Sequence, residues 1–325
     1  MKPLSIVAYF DGRLGHEKQT RSILQEISGI TATHVINRIV RISPAASCSN
    51  WAAYLLSGLW NMNAEKYNEP VDLIIGTGTH THIPMLLEKK SRNKTSGGPV
   101  RVVTCMSPDP LLLPGFDLCF IPLHDDPIPR KNIFLTLGPP SPRIIEKRDG
   151  SNRGLILVGG VDRKSHKWDT GKITVLIKNI VAESQLLLWT VSSSPRTPED
   201  TCRKLENMAE ITEKLTFYRS IDTPAGWIEE QYALHDTAWV TADSISMVYE
   251  ALTAGCAVGI LPVEWLRQKN KFQKSLTNLH ERNMIVTYEE WKTGAKTLTP
   301  PGEPFNEAGR CARELLKRWW PDRLQ

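Results

Sequence analysis

Residues 237–264 read TAWVTADSISMVYEALTAGCAVGILPVE, and this stretch decides the fold. A short apolar run reaches Val240, and a loop holding Asp243, Ser244 and Ser246 follows. A helix then passes through Met247 and Glu250 to about Ala254, Gly255 stops it, and Ala257 to Leu261 is a second apolar run. Neither run alternates polar with apolar residues, so each suits a parallel strand covered on both faces by helices. Strand, loop, helix, strand is the repeating unit of a doubly wound α/β sheet.

The same unit recurs on either side. Upstream, Gly154 to Gly159, Gln185 to Val191 and Leu215 to Tyr218 read as strands. Further back lie Leu4 to Phe10, Val71 to Ile75, Val100 to Met106 and Phe116 to Ile121. Between the two series, GPPSPRIIEKRDGSNR (138–153) is rich in proline, glycine and charge and reads as a connection. At 325 residues the chain is long for one core, and domains of roughly 150 residues are the natural size. The expectation is two Rossmann-like α/β domains, 1–145 and 146–305, followed by a C-terminal segment, 306–325.

Composition narrows the function class. Hydrophobic residues at 41% and charged residues at 23% exclude disordered and fibrous chains. A net charge of +5 would draw in an anionic substrate or an acidic membrane surface, but is too small to argue for nucleic acid. The 6 cysteines form no CxxC pair, so neither a disulfide framework nor a zinc site is expected, and a reducing cytoplasm fits best. The apolar stretch before Asp11 is too short for a signal peptide, and no uninterrupted apolar run is long enough to span a bilayer.

Open parallel sheets place ligands outside the carboxyl ends of their strands. In LILVGGVDRKSHKW (155–168), Gly159 and Gly160 let backbone approach a ligand and Arg163 with Lys164 can neutralise a phosphate; a plain turn with solvated charges fits equally. In LLLWTVSSSPRTPED (186–200), Ser194, Arg196 and Thr197 sit at a strand end, with Thr197-Pro198-Glu199 as a helix start whose amides would hold an anion. Capping alone would explain every residue there except Arg196. In the deciding stretch, Ser246 and Glu250 share a helical face. Hydroxyls and amides at that helix start suit a diphosphate, and a carboxylate one turn on suits a ribose diol. The N-terminal half has two similar loops. YFDGRLGHEKQTRSILQEI (9–27) carries Asp11, Gly12, Gly15 and His16, and does not match GxGxxG. LIIGTGTHTHIPMLLEKK (73–90) carries Gly78, Thr79, His80 and His82 before a helix; no third metal ligand follows at sensible spacing, so no metal is expected. WAAYLLSGLW (51–60) and RELLKRWWPDRL (313–324) are either interfacial helices or packed ones.

DGRLGHEKQ, FDLCFIPLHD, SSPRTP, WVTADSISMVYEA and KFQKSLTNL, in this order, resemble the Elm-type mitochondrial fission family, whose bacterial members are regarded as glycosyltransferases. Two departures from the family pattern are Pro195, in place of an arginine, and Lys271 before Phe272. The resemblance implies a GT-B fold of two Rossmann-like domains facing a cleft. It puts a nucleotide-sugar donor on the C-terminal domain and the acceptor on the N-terminal one. The last helix, Asn306 to Trp319, would cross back to the first domain.

By position, Asp243, Ser244, Ser246, Met247 and Glu250 would hold the nucleotide, with Glu250 on the ribose. Gly159, Gly160, Arg163, Ser194, Arg196 and Thr197 would surround the phosphates, and Gly12, Gly15, Gly78, Thr79 and His82 would line the acceptor side. The base would be His16, because an imidazole titrates near neutral pH, with Asp11 its partner or its rival. No cofactor is implied beyond the nucleotide-sugar as substrate. The acceptor is unspecified and would be a saccharide or a lipid-linked molecule, with peripheral contact to the inner membrane expected from the cytoplasm. A nucleotide-sugar epimerase or hydrolase, and a non-enzymatic scaffold that recruits partners to a membrane, are the competing classes.

Overall fold

The apolar runs form two parallel sheets. A computed structural model describes residues 1–40, 42–56, 69–93, 99–144, 152–186, 188–267, 270–302 and 305–324. Cα packing separates Met1–Pro142 with Asn306–Gln325 from Arg143–Phe305. The first unit contains β1 (Leu4–Phe10), α1 (Leu14–Ile30), β2 (Thr33–Ile39), α2 (Pro44–Leu56), β3 (Leu73–Gly76), α3 (Thr79–Arg92), β4 (Arg101–Thr104), β5 (Leu118–Pro122) and β6 (Ile133–Thr136). Its strands lie in the order β2-β1-β3-β4-β5-β6, every neighbouring pair parallel.

Alternate strand residues feed opposite faces, which is why the runs are apolar throughout. Leu4, Ile6, Leu73 and Val103 pack on one face beneath Ile23, Leu24 and Ile27 of α1. Val7, Ile74, Val102 and Ile121 pack on the other beneath Ile83, Met85 and Leu86 of α3. On that face the buried Glu88 carboxylate accepts hydrogen bonds from Arg92 Nε at 2.8 Å and Tyr9 Oη at 2.5 Å, and Arg38 Nε lies 2.9 Å away. Two guanidiniums offset the desolvation of that charge.

The second unit contains β7 (Arg153–Leu157), β8 (His166–Lys167), α4 (Thr170–Glu183), β9 (Leu188–Ser192), α5 (Glu199–Ile211), β10 (Leu215–Tyr218), α6 (Trp227–Leu234), β11 (Thr237–Thr241), α7 (Ile245–Thr253), β12 (Ala257–Leu261), β13 (Glu264–Trp265), α8 (Lys271–Glu281), β14 (Ile285–Thr287) and α9 (Tyr288–Lys292). The order β10-β9-β7-β11-β12-β14 is again parallel throughout. One face buries Ile173, Ile177 and Ile180 of α4 against Trp189, Val191 and Trp239.

The last helix, α10 (Glu307–Trp319), belongs to the first unit. Its Ala308, Cys311, Ala312, Leu315 and Leu316 form one stripe buried with α1 and the β1 face. Asn306 caps it, accepting from Gly309 N at 2.7 Å, while Asn306 Nδ2 donates to Glu26 Oε1 at 3.1 Å. Glu307, 1% exposed, accepts from Leu137 N at 3.0 Å and from Arg310 Nη1 at 2.7 Å.

Several elements differ from the sequence reading. The strand placed at Gln185 to Val191 starts at Leu188 and extends to Ser192. β2, β6, β8, β13 and β14 were not legible. The helix proposed over Trp51 to Trp60 is α2, described only to Leu56; residues 57–60 lie outside the described residues. Within it, Trp51 and Tyr54 pack on the core of the first unit, and Lys90 of α3 sits 4.0 Å over the Tyr54 ring. No helix among the described residues is long and apolar enough to cross a membrane.

Both sheets have a topological switch point. In the first, the chain leaves β1 sideways to β2 and returns to β3 on the other flank of β1. In the second it goes from β7 to β9 and β10, then to β11 on the opposite flank of β7. Loops leaving such neighbouring strands diverge and open a crevice at the carboxyl edge.

Candidate functional site

In the second unit the loops after β7 and β11 meet at the switch point, because Leu157 pairs with Val240. Gly159 N donates to Thr241 Oγ1 at 2.7 Å, and Gly160 N donates to Asp243 Oδ2 at 3.0 Å. The loop after β9 joins them. Arg196 Nη2 donates to Asp243 Oδ2 at 2.9 Å and to Ser244 Oγ at 3.2 Å, while Val161 N donates to Arg196 O at 3.0 Å. Ser194 Oγ donates to Gly159 O at 2.9 Å, and Thr197 Oγ1 donates to the same carbonyl while accepting from Ser194 N at 2.8 Å.

The approach is close enough to require glycine. A Cβ on Gly160 would lie 2.0 Å from Arg196 O, and one on Gly159 would lie 2.3 Å from both Asp243 Oδ2 and Ser244 Oγ. Thr197 therefore ties the loop after β9 to the loop after β7 and does not cap α5, whose N-cap is Pro198. That corrects the capping role read from the sequence. Beyond the glycines, His166 Nε2 hydrogen-bonds Gly160 O at 3.0 Å. The Lys164 amide, then the Ser165 hydroxyl, holds the Asp162 carboxyl below its ordinary range.

Helix α7 starts at this point. Ser244 is its N-cap and makes no side-chain cap hydrogen bond, so the first-turn amides, including those of Ser246 and Met247, remain to be met from outside the helix. Ser246 is exposed and Glu250, one turn on, is half-buried. Burial, and then the Glu250 charge, pushes the Tyr232 hydroxyl well above its ordinary pKa. Arg163 is exposed on the turn after Gly160.

Two cavities open along the same carboxyl edge. One of about 310 Å³ is lined by Ser193, Ser194, Thr197, Arg219 and Ser220 at the ends of β9 and β10. There Arg219 is clamped by Glu199, at 2.8 and 2.9 Å, and by Glu206 at 2.8 Å. The other, of about 290 Å³, is mainly apolar and lies between the ends of β12 and β14 and helix α8.

The first unit repeats the logic with different chemistry. Asp11, 3% exposed at the end of β1, accepts from Arg13 N at 3.2 Å through Oδ1 and lies 2.8 Å from His16 Nδ1 through Oδ2. In the neutral ring, a proton on Nδ1 donated to the carboxylate leaves Nε2 as an acceptor. Gly78, at the end of β3, lies against this pair: its φ is +110°, and a Cβ there would fall 2.3 Å from Asp11 Oδ2 and 2.5 Å from His16 Nδ1. A hydroxyl pair, Thr20 Oγ1 to Thr77 Oγ1 at 2.9 Å, holds α1 to the same loop.

Gly12 has a φ of +76° and Gly15 lies in α1 with open space around it. Thr79, His80 and His82 form the first turn of α3 and do not precede it. His82 is buried, bonds Thr104 Oγ1 at 3.0 Å and meets the Phe116 ring edge-on. Burial, and then the nearby His16, lowers its pKa to about 4, so it is neutral at physiological pH. Among the described residues, no three His, Cys, Asp or Glu side chains stand together as metal ligands.

Sequence reasoning missed Thr241, Thr20, Thr77 and Arg219. A hydroxyl at a strand end was the available signal for Thr241 and Thr77. Arg219 is disclosed only by the two carboxylates of α5 that fold against it.

The chain matches the family model described as mitochondrial fission ELM1 over residues 14–319. No curated protein sequence matches it. Among solved structures, a protein described as UDP-N-acetylglucosamine 2-epimerase from Listeria monocytogenes aligns with a TM-score of 0.60 at 12% identity, over 97% of this chain and 95% of that one. The S. aureus MnaA–UDP complex aligns at 0.56 and 10% identity, over 99% and 98%. The UDP-GlcNAc 2-epimerase of Methanocaldococcus jannaschii aligns at 0.55 and 12%, over 97% and 99%. At such identities the likeness establishes the fold, two parallel-sheet α/β units of the GT-B type.

Proposed function

The chain belongs to the mitochondrial fission ELM1 family, and we propose that it is a glycosyltransferase that moves a sugar from a nucleotide-sugar donor without a metal. The observation that carries this reading is the convergence at the second switch point. Two tightly packed glycines, a guanidinium and two serine hydroxyls meet beside the start of α7. Backbone amides, a helix N-terminus and arginine are the groups that meet a diphosphate. Glu250, one turn into α7, is the residue we assign to the ribose diol.

In the transfer itself, the acceptor oxygen forms a bond to the anomeric carbon as the bond from that carbon to the diphosphate oxygen breaks. The acceptor proton passes to His16 Nε2, and Asp11 stabilises the imidazolium that results. Charge developing on the leaving diphosphate is met by Arg196 and the α7 amides. The acceptor side is assigned to the first unit, and the acceptor is a saccharide or lipid-linked.

A second reading, a nucleotide-sugar epimerase, is favoured by the solved structures named above, which are matched almost end to end. Calorimetric titration with UDP, GDP, CDP and CMP, alongside Glu250→Ala, tests the shared donor site. One nucleotide should bind, and the variant should lose it. Binding of none removes both enzyme readings and leaves a scaffold that sediments with liposomes. Turnover of the sugar-nucleotide with no acceptor present would favour the epimerase, and unchanged turnover in His16→Ala and Asp11→Asn would remove the proposed base.

A further inference from the structure

Asp243 is an unusual neighbour for a diphosphate. Its side chain is 1% exposed, whereas that of Arg196, its partner at 2.9 Å, is 44% exposed. Asp243 Oδ2 gathers Gly160 N at 3.0 Å, Arg196 Nη2, and Ser244 Oγ at 3.3 Å. These are the donors of an anion cradle, already turned onto an anion that the chain supplies. Oδ1 is buried with no hydrogen-bond partner. The carboxylate lies flat against Gly159, where a Cβ would come within 2.3 and 2.5 Å of its two oxygens. The anion is therefore fixed, and the cation beside it has solvent to move through.

We propose that Asp243 is an internal counter-anion: it holds Arg196 in the empty site, and donor binding is an exchange in which the guanidinium leaves Asp243 for the diphosphate. The inference rests on the nucleotide-sugar reading. Asp243 is then a positioning residue that acts through Arg196, and it does not touch the donor. Gly160 N stays on Asp243 throughout, because neither group can withdraw without opening the glycine contact. The exchange keeps the empty crevice near neutrality. It also limits how tightly the product diphosphate is held, since each bound anion must face a buried carboxylate stripped of its cation.

The sign of one substitution separates this role from a purely structural one. Asp243→Asn keeps an acceptor for Gly160 N and removes the opposing charge, so it should tighten binding of UDP and of inorganic pyrophosphate by about tenfold, whereas a structural carboxylate predicts weaker binding. Calorimetry on the full-length protein reads both ligands. Arg196→Gln should weaken binding, and by a larger factor in the Asp243→Asn background than in wild type, because only there is the arginine without its opposing charge. Equal or weaker binding by Asp243→Asn overturns the exchange. If that variant does not fold, the neutral pair Asp243→Asn/Arg196→Gln is compared with Arg196→Gln alone. Tighter binding by the double variant supports the exchange, and equal or weaker binding refutes it. Wild type that binds neither ligand removes the donor site and the exchange together, while wild type that binds, with no gain from Asp243→Asn, removes the exchange alone.

Discussion

Gly160→Ala perturbs the second unit at the point where its loops are closest. The added Cβ would lie 2.0 Å from Arg196 O, 2.1 Å from Arg196 C and 2.5 Å from Thr197 N. These neighbours are backbone, so no side chain can swing aside and the loops must part by more than an ångström. Overpacking of this kind costs about 1–3 kcal/mol. Parting also breaks the Val161 N to Arg196 O hydrogen bond of 3.0 Å, worth about 1 kcal/mol. The sum, about 2–4 kcal/mol, corresponds to a fall in Tm of roughly 5–15 °C for a unit of this size. Arg196 would be carried away with its backbone, so nucleotide affinity should fall at least tenfold alongside. Scanning calorimetry and UDP titration read the two effects, and Gly15→Ala, with open space around it, is the control expected to leave both nearly unchanged. A Gly160→Ala protein within about 2 °C of wild type, with unaltered UDP affinity, would refute the claim that this backbone contact builds the crevice.

Gly78→Ala should separate Asp11 from His16 and lower stability by about 2–4 kcal/mol, through a left-handed φ and a lost charge-assisted hydrogen bond; thermal unfolding and the NMR tautomer of His16 report it. His82 has a folded-state pKa of about 4, below its unfolded value, so its contribution is complete above about pH 6.5 and is lost as pH falls towards 4. The unfolding free energy from urea titrations should therefore decline by up to ~3 kcal/mol over that window, and His82→Gln should flatten the decline. Glu307→Ala leaves Leu137 N without its acceptor, and chemical denaturation should show a loss of about 2–3 kcal/mol.

The strands that supply the crevices were legible because each is buried on both faces and so reads as an unbroken apolar run. Leu4–Phe10 and Ala257–Leu261 are strands over the residues read. The α7 boundaries were legible too, with Gly255 taking a φ of +78° just past the helix end. Edge strands were mostly not, Leu215–Tyr218 being the exception. β2 and β6 are largely half-exposed, and β8 and β13 are two-residue segments that exist only because His166 pairs with Trp265 and Lys167 with Glu264. Nor could the sequence show that Arg196 faces Asp243, or that His82 turns into a core. Both depend on which loops a switch point brings together, which is a property of strand order and leaves no local pattern.

The place of α10 in the chain bears on how the protein is made. The helix completes a core begun by Leu4 and Ile6, yet it emerges from the ribosome only after every residue of the second unit. At ordinary elongation rates of about 5–20 residues per second, the first sheet waits on the order of ten seconds with the seat of Leu315 and Leu316 uncovered. The second unit ends at Phe305, before α10 begins. Synthesis order and folding order are thus reversed for half of the molecule, and a nascent chain released before Leu316 would present to chaperones the surface that the finished protein hides.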